Sequence, residues 1–340
     1  MNDPVTPPSL PAGGDLQASK SVASSPSQIS LEASWGERIF RGPQGMRSGW
    51  RLLLYLGVSA AVTYSLLWFG KSFFPGPVYG TAALWQEMYG EIALMLGAIA
   101  PALLLARIEQ RPIDDYGLPR PAAFGRLFWV GAVWGLAAIT VLLLALDSMH
   151  VLSIGRLALH GARIVKFGIF WAAFFLVVAF FEEFLFRGYT LYTLSQGTGF
   201  WPAAAVLSCL FGAIHIFNVG EGLIGVLAAA AIGFFFCLTL RRTGNLWFAV
   251  GFHAAWDWGE TYLYSVPDSG TYKPGHLLNS SLQGPAWLSG GTVGPEGSVL
   301  CLVLFALLWV LFDRRYREAH YNVDRAHPAA PAHTVTPYQE

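Results

Sequence analysis

Charge is what this sequence has least of: of 340 residues, only 12% are Asp, Glu, Lys or Arg, about half the roughly 25% that soluble domains carry. The 21 basic side chains are matched by 21 acidic ones, so no global field draws the chain to nucleic acid. Cysteine is scarce as well: Cys209, Cys237 and Cys301 are odd in number and fall inside apolar stretches, which argues against a disulfide framework. The Gly290-Gly291-Thr292-Val293-Gly294 run lacks the Lys-Ser/Thr pair of a phosphate loop, and nucleotide binding is not supported. A basic start leading directly into an apolar stretch is missing too, so a cleaved secretory signal is not expected. No internal repeat suggests a transporter built from inverted halves.

What the sequence has instead is apolar length. Hydrophobic residues make up 54% of it, in windows long enough to cross a bilayer near 49–69, 84–106, 125–146, 168–193, 200–219, 221–240, 245–265 and 296–313. The expectation is an all-α polytopic membrane bundle of about eight transmembrane helices. A disordered Pro/Ser/Gly-rich tail is expected over 1–45, a transmembrane domain over 46–318 and a polar tail over 319–340. With the N-terminus inside, fifteen Lys and Arg fall on the inner side and five on the outer, Arg187 being set aside as intramembrane. Both termini are therefore expected in the cytoplasm. The outward segment 266–295 is the length of loop that serves as a lid, a binding loop or a disordered connector.

Ionisable side chains inside such spans are costly, roughly 2.5 kcal/mol or more each on insertion scales, and mark candidate sites. Here they cluster. The fourth span carries Glu182-Glu183-Phe184-Leu185-Phe186-Arg187, the fifth Phe211-Gly212-Ala213-Ile214-His215, and the seventh His253-Ala254-Ala255-Trp256-Asp257, with Glu260 beyond. Glu183 and Arg187 are spaced i, i+4, on one helix face where they can pair. Adjacent residues diverge by about 100°, so Glu182 must find its partner on another helix, and His215 is the expected one. His253, Asp257 and Glu260 form a polar stripe at i, i+4, i+7 that should face the bundle interior. Glu91 reads as a structural pair or a helix-end group, Phe211 as packing beside His215, and Gly131 with Gly135 as a Gly-x-x-x-Gly contact face.

Glu-Glu-x-x-x-Arg at 182–187, Phe-x-x-x-His at 211–215 and His-x-x-x-Asp at 253–257, in that order on membrane helices, resemble the CPBP (CAAX protease and bacteriocin-processing, or Abi) family of intramembrane proteases, which includes the type II CAAX prenyl endopeptidases. The resemblance covers about 165–265. It implies that Glu182 and His215 activate a water, that Glu183 and Arg187 brace the site, and that His253 with residue 257 steadies the oxyanion. It also implies a membrane protein or lipidated peptide as substrate, a lipid bilayer as surroundings, and no nucleic acid. Many relatives carry Asn where this chain has Asp257; an ionised Asp cannot donate to an oxyanion, so Asp257 is expected to accept from His253 and hold its ring. No cofactor is expected. The rival chemistry is a zinc site with Glu182, His215 and His253 as ligands. The rival functions are a non-catalytic scaffold or immunity-type protein and a proton-coupled transporter.

Overall fold

The computed structural model describes residues 39–42, 45–74, 76 and 80–321. The tails expected at 1–45 and 319–340 therefore lie, for most of their length, outside the described residues. Helices dominate the described chain: α1 Ser48–Gly70, α2 Thr81–Ile108, α3 Arg126–Ser148, α4 Ala162–Arg187, α5 Tyr189–Thr198, α6 Phe200–Ile214, α7 Leu223–Thr243, α8 Trp247–Asp257 and α9 Val299–Arg315. The helical bundle read from apolar runs is present, and each expected span has its helix.

The expected count of eight crossings is not confirmed. Six helical stretches among the described residues are long and apolar enough to cross a membrane: Ser48–Gly70, Ala83–Ile108, Arg126–Ser148, Ala162–Thr198, Phe200–Phe217 and Leu223–Thr243. The seventh window fails on length, because α8 has only 11 residues before the chain widens into a six-residue π-helical turn, Trp258–Leu263. Such a helix rises roughly 16 Å, about half of a hydrocarbon core of roughly 30 Å. The eighth, α9, has 17 residues and ends on Asp313-Arg314-Arg315.

Helix α8 is the central pillar. Nearly every one of its side chains is buried, Asp257 included, whereas α1 buries only 11% of its apolar window and stands at the periphery. A helix apolar on all sides needs neighbours on all sides, and α8 finds them in α3, α4 and α7. Its tightest contact is with α3. A Cβ on Gly131 or Gly135 would run into the carbonyls of Phe248 or Phe252, and one on Gly251 into that of Phe128. Small residues on both partners thus let the two backbones touch, as the Gly-x-x-x-Gly spacing predicts.

The two ends of the bundle differ. At one end, Arg51 on α1 donates from Nε to Glu109 Oε1 over 2.8 Å, and Tyr189 on α5 donates to the same oxygen over 2.7 Å. At the other, the α3–α4 connection and the 266–298 segment form a cap. Leu152–Ser153 pairs antiparallel with Ser281–Leu282, and Leu157 bridges Leu278.

Candidate active site

Polar residues of the first and third motifs meet around one ring. His253, on the buried pillar, has an acceptor at each nitrogen: Nδ1 lies 2.9 Å from Glu183 Oε1, and Nε2 lies 3.4 Å from Asp257 Oδ2 and 3.9 Å from Glu182 Oε2. A carboxylate only accepts, so Nδ1–H donates to Glu183. Phe236 of α7 stacks on the opposite side, with ring centroids 5.9 Å apart and planes 24° from parallel. Three carboxyl groups lie within 4 Å of the ring, and the two longer contacts at Nε2 leave that edge able to turn toward a further acceptor.

Glu183 does two jobs at once. Its Oε1 also takes Arg187 Nη1 at 3.3 Å, the i, i+4 pair expected on α4, and both side chains are sealed from solvent. Arg187 continues across the site: its guanidinium lies 4.3 Å from the centre of the Phe211 ring, with Phe186 and Phe236 on further sides. A charge this deep is tolerated because a carboxylate and aromatic faces surround it.

His215 ends α6, and its Nδ1 donates to the carbonyl of Phe211, one turn back, over 2.6 Å. A carbonyl cannot donate, so the proton belongs on Nδ1 and the lone pair on Nε2. The Phe211 ring lies 4.6 Å from the imidazole, edge-on. Phe211 therefore joins Arg187 to His215 through its face and its carbonyl.

Glu182, His215, His253 and Asp257 all line one cavity of about 210 Å³. Aromatic residues in its wall include Phe174 and Phe175 of α4 and Phe252 and Trp256 of α8. Glu182 and His215 face this shared space, yet among the described residues no hydrogen bond joins them. The charged neighbour of Glu182 across the helix interface is His253, not the His215 that adjacency on α4 predicts.

Two other expectations change. Glu260 leaves the His253–Asp257 stripe: it sits in the π-helical turn, whose wider winding shifts its phase, and is fully buried without lining the cavity. Glu91, read as a structural group of α2, does line the cavity. So do Asp268, Ser269, Thr271 and Lys273 of the cap, along with Glu221 and Glu296. Nothing in helical spacing flags these, since they arrive from loops. Outside the helices, burial and then the neighbouring Asp268 push the Glu296 carboxyl up to about 7, and burial raises Asp268 and Glu221.

Among the described residues, no three His, Cys, Asp or Glu side chains are grouped to hold a metal ion; His253 Nδ1 is engaged by Glu183 and its Nε2 faces two carboxylates. The cysteines form no disulfide, Cys209 being exposed and Cys237 and Cys301 buried.

In a comparison with protein families, residues 164–259 match a model described as Type II CAAX prenyl endopeptidase Rce1-like. That stretch runs from the start of α4 into the π-helical turn and contains all three motifs. No curated protein matches the chain.

Proposed function

We propose, on the match of residues 164–259 to the type II CAAX prenyl endopeptidase Rce1-like model, that the chain is a CPBP/CAAX-type protease, an intramembrane endopeptidase that hydrolyses a peptide bond of a membrane-associated or lipidated substrate. The observation that carries this reading is the shared cavity of about 210 Å³ lined by Glu182, His215, His253 and Asp257. Six helical stretches long and apolar enough to cross a membrane support a substrate that is itself in or on the bilayer.

The geometry supports a set of roles. A water held between Glu182 and the Nε2 lone pair of His215 gives up a proton to Glu182 as its oxygen attacks the scissile carbonyl carbon. The carbonyl oxygen, now negative, lies by the Nε2 edge of His253, whose ring is held from the other side by Glu183. Asp257 takes no part as a donor; it accepts at the same edge and keeps the ring charged and oriented. As the C–N bond breaks, Glu182 returns the proton to the leaving nitrogen. Arg187 and Phe211 touch no reacting atom and position Glu183 and His215.

Peptidase assays on purified membranes, with and without a strong zinc chelator, test the metal-free part of this reading. Cleavage that survives chelation and is lost in Glu182→Gln supports it. Cleavage abolished by chelation and restored by zinc refutes it. The rival scaffold reading, in which the chain binds without hydrolysis, gives no Glu182-dependent product at all.

A further inference from the structure

Of the cap side chains that line the cavity, four come from one short stretch: Asp268, Ser269, Thr271 and Lys273. That stretch begins beyond Ser265 and reaches Gly275, and both of these residues sit in the left-handed region, with φ of 61° and 80°. Below its ends the chain is fixed by backbone bonds: Leu277 N–H donates to the Tyr262 carbonyl over 3.0 Å, and Ala158 N–H to that of Leu277 over 2.8 Å. The body of the stretch is held differently. Gly270 N–H donates to the Val293 carbonyl over 2.9 Å and Val266 N–H to that of Glu260 over 3.1 Å, and side chains add Thr261 to Asp268 at 2.8 Å, Ser269 to Glu296 at 3.0 Å, and Lys273 to Glu87 at 2.8 Å.

The last of these differs from the others. It crosses from the cap to the outer turn of α2, 186 residues away in sequence. The helix it reaches packs mainly on the peripheral α1 and on α4. The pair is also the more open to water, with Glu87 42% exposed and Lys273 18%. Such pairs are weak and screened by salt, which suits a contact that must break and re-form. Lys273 is at once cavity wall and clasp, and its ammonium lies 5.8 Å from the centre of the Phe174 ring, another wall residue.

We propose that residues 266–275 are a strap across the mouth of the cavity, clasped to α2 by the Lys273–Glu87 ion pair, and that release of this clasp opens the site. The protease reading supplies what the open strap admits, a peptide chain, but the movement does not depend on that reading. The strap bears none of the groups assigned to the chemistry, so opening it leaves Glu182, His215 and His253 in place.

The test needs no substrate. In a Cys209→Ser background, Ala229→Cys places a thiol on the α7 wall of the cavity, and its reaction with a water-soluble maleimide reports access. Lys273→Ala and Glu87→Ala should each accelerate labelling about two- to fivefold, the range an exposed ion pair supports. The exchange Lys273→Glu with Glu87→Lys should return the rate toward that of the starting protein. Equal rates in all four proteins overturn the proposal, as does an exchange variant that labels as fast as the single ones. Thermal unfolding of each variant separates strap opening from loss of fold, and Glu87→Ala, made on a different element, stands in if Lys273→Ala fails to assemble. If labelling behaves as expected while no peptide is cleaved, the strap stands and the protease reading falls.

Discussion

His253 Nδ1 donates to Glu183 Oε1 over 2.9 Å, so the carboxylate that neutralises the buried Arg187 is the same one that orients the central imidazole. The adjacent glutamates of α4 are thus divided by burial: Glu183 is sealed from solvent, whereas Glu182 is 26% exposed in the cavity.

This division predicts opposite outcomes for the two conservative replacements. Glu183→Gln leaves Arg187 buried without a counter-charge, and breaking a buried pair from one side costs roughly 3–5 kcal/mol. A markedly lower unfolding temperature in detergent is expected. Glu182→Gln removes a group that faces the cavity, so the fold should be retained while turnover drops on the order of 10²- to 10⁴-fold, as for loss of a general base. Equal unfolding temperatures for the two variants would contradict the division.

Asp257 separates two accounts of the oxyanion side. As an acceptor opposite His253 Nε2, 3.4 Å away, it helps hold the ring as a donor, and Asp257→Asn should lower kcat with little change in KM. An asparagine that donates directly to the oxyanion would instead keep full turnover. Retention of wild-type kcat across the pH range removes the role assigned to Asp257.

The contact between α3 and α8 sets the position of His253 from a distance. Gly135→Val introduces a side chain where a single Cβ already meets the Phe252 carbonyl, next to His253 in the chain. Loss of both activity and thermal stability is expected, and Gly131→Val should behave alike through Phe248. The exposed Gly57 of α1, with open space around it, is the control, since Gly57→Val should leave both unchanged.

Glu296 gives the cap a pH dependence with a defined sign. Burial, then Asp268, raises its carboxyl from the ordinary 4.5 to about 7. Between those values the folded protein keeps a proton that the unfolded chain has released, so stability falls as pH rises through this window. Glu296→Gln should flatten the decline in unfolding temperature between pH 5 and pH 7.5, leaving a remainder that Asp268, also raised by burial, contributes. An unchanged decline would show that Glu296 is not the group responsible.

Much of this arrangement is legible in the amino-acid sequence. The helix positions follow from apolar runs because a segment in lipid must satisfy its own backbone. The Glu183–Arg187 pair follows from helical spacing, and so does the Gly131/Gly135 face. Composition does not reveal that the 245–265 run is a buried pillar ending in a π-helical turn, since a buried helix and a spanning one are equally apolar. The fourth run, 168–193, hides a break into α4 and α5 for the same reason. Partner choice is also beyond spacing: Glu182 turns to His253 because three helices fix their relative rotation by packing. The strap residues come from a loop, where no period exists to read.

The most direct test compares new protein N-termini in membranes of cells making the wild-type chain or Glu182→Gln at equal abundance. The account expects a set of membrane-associated or lipidated proteins whose cleavage products are present with wild type and absent with Glu182→Gln. The same N-termini in both, under several growth conditions and with both chains folded, would contradict the assignment of Glu182 to peptide hydrolysis.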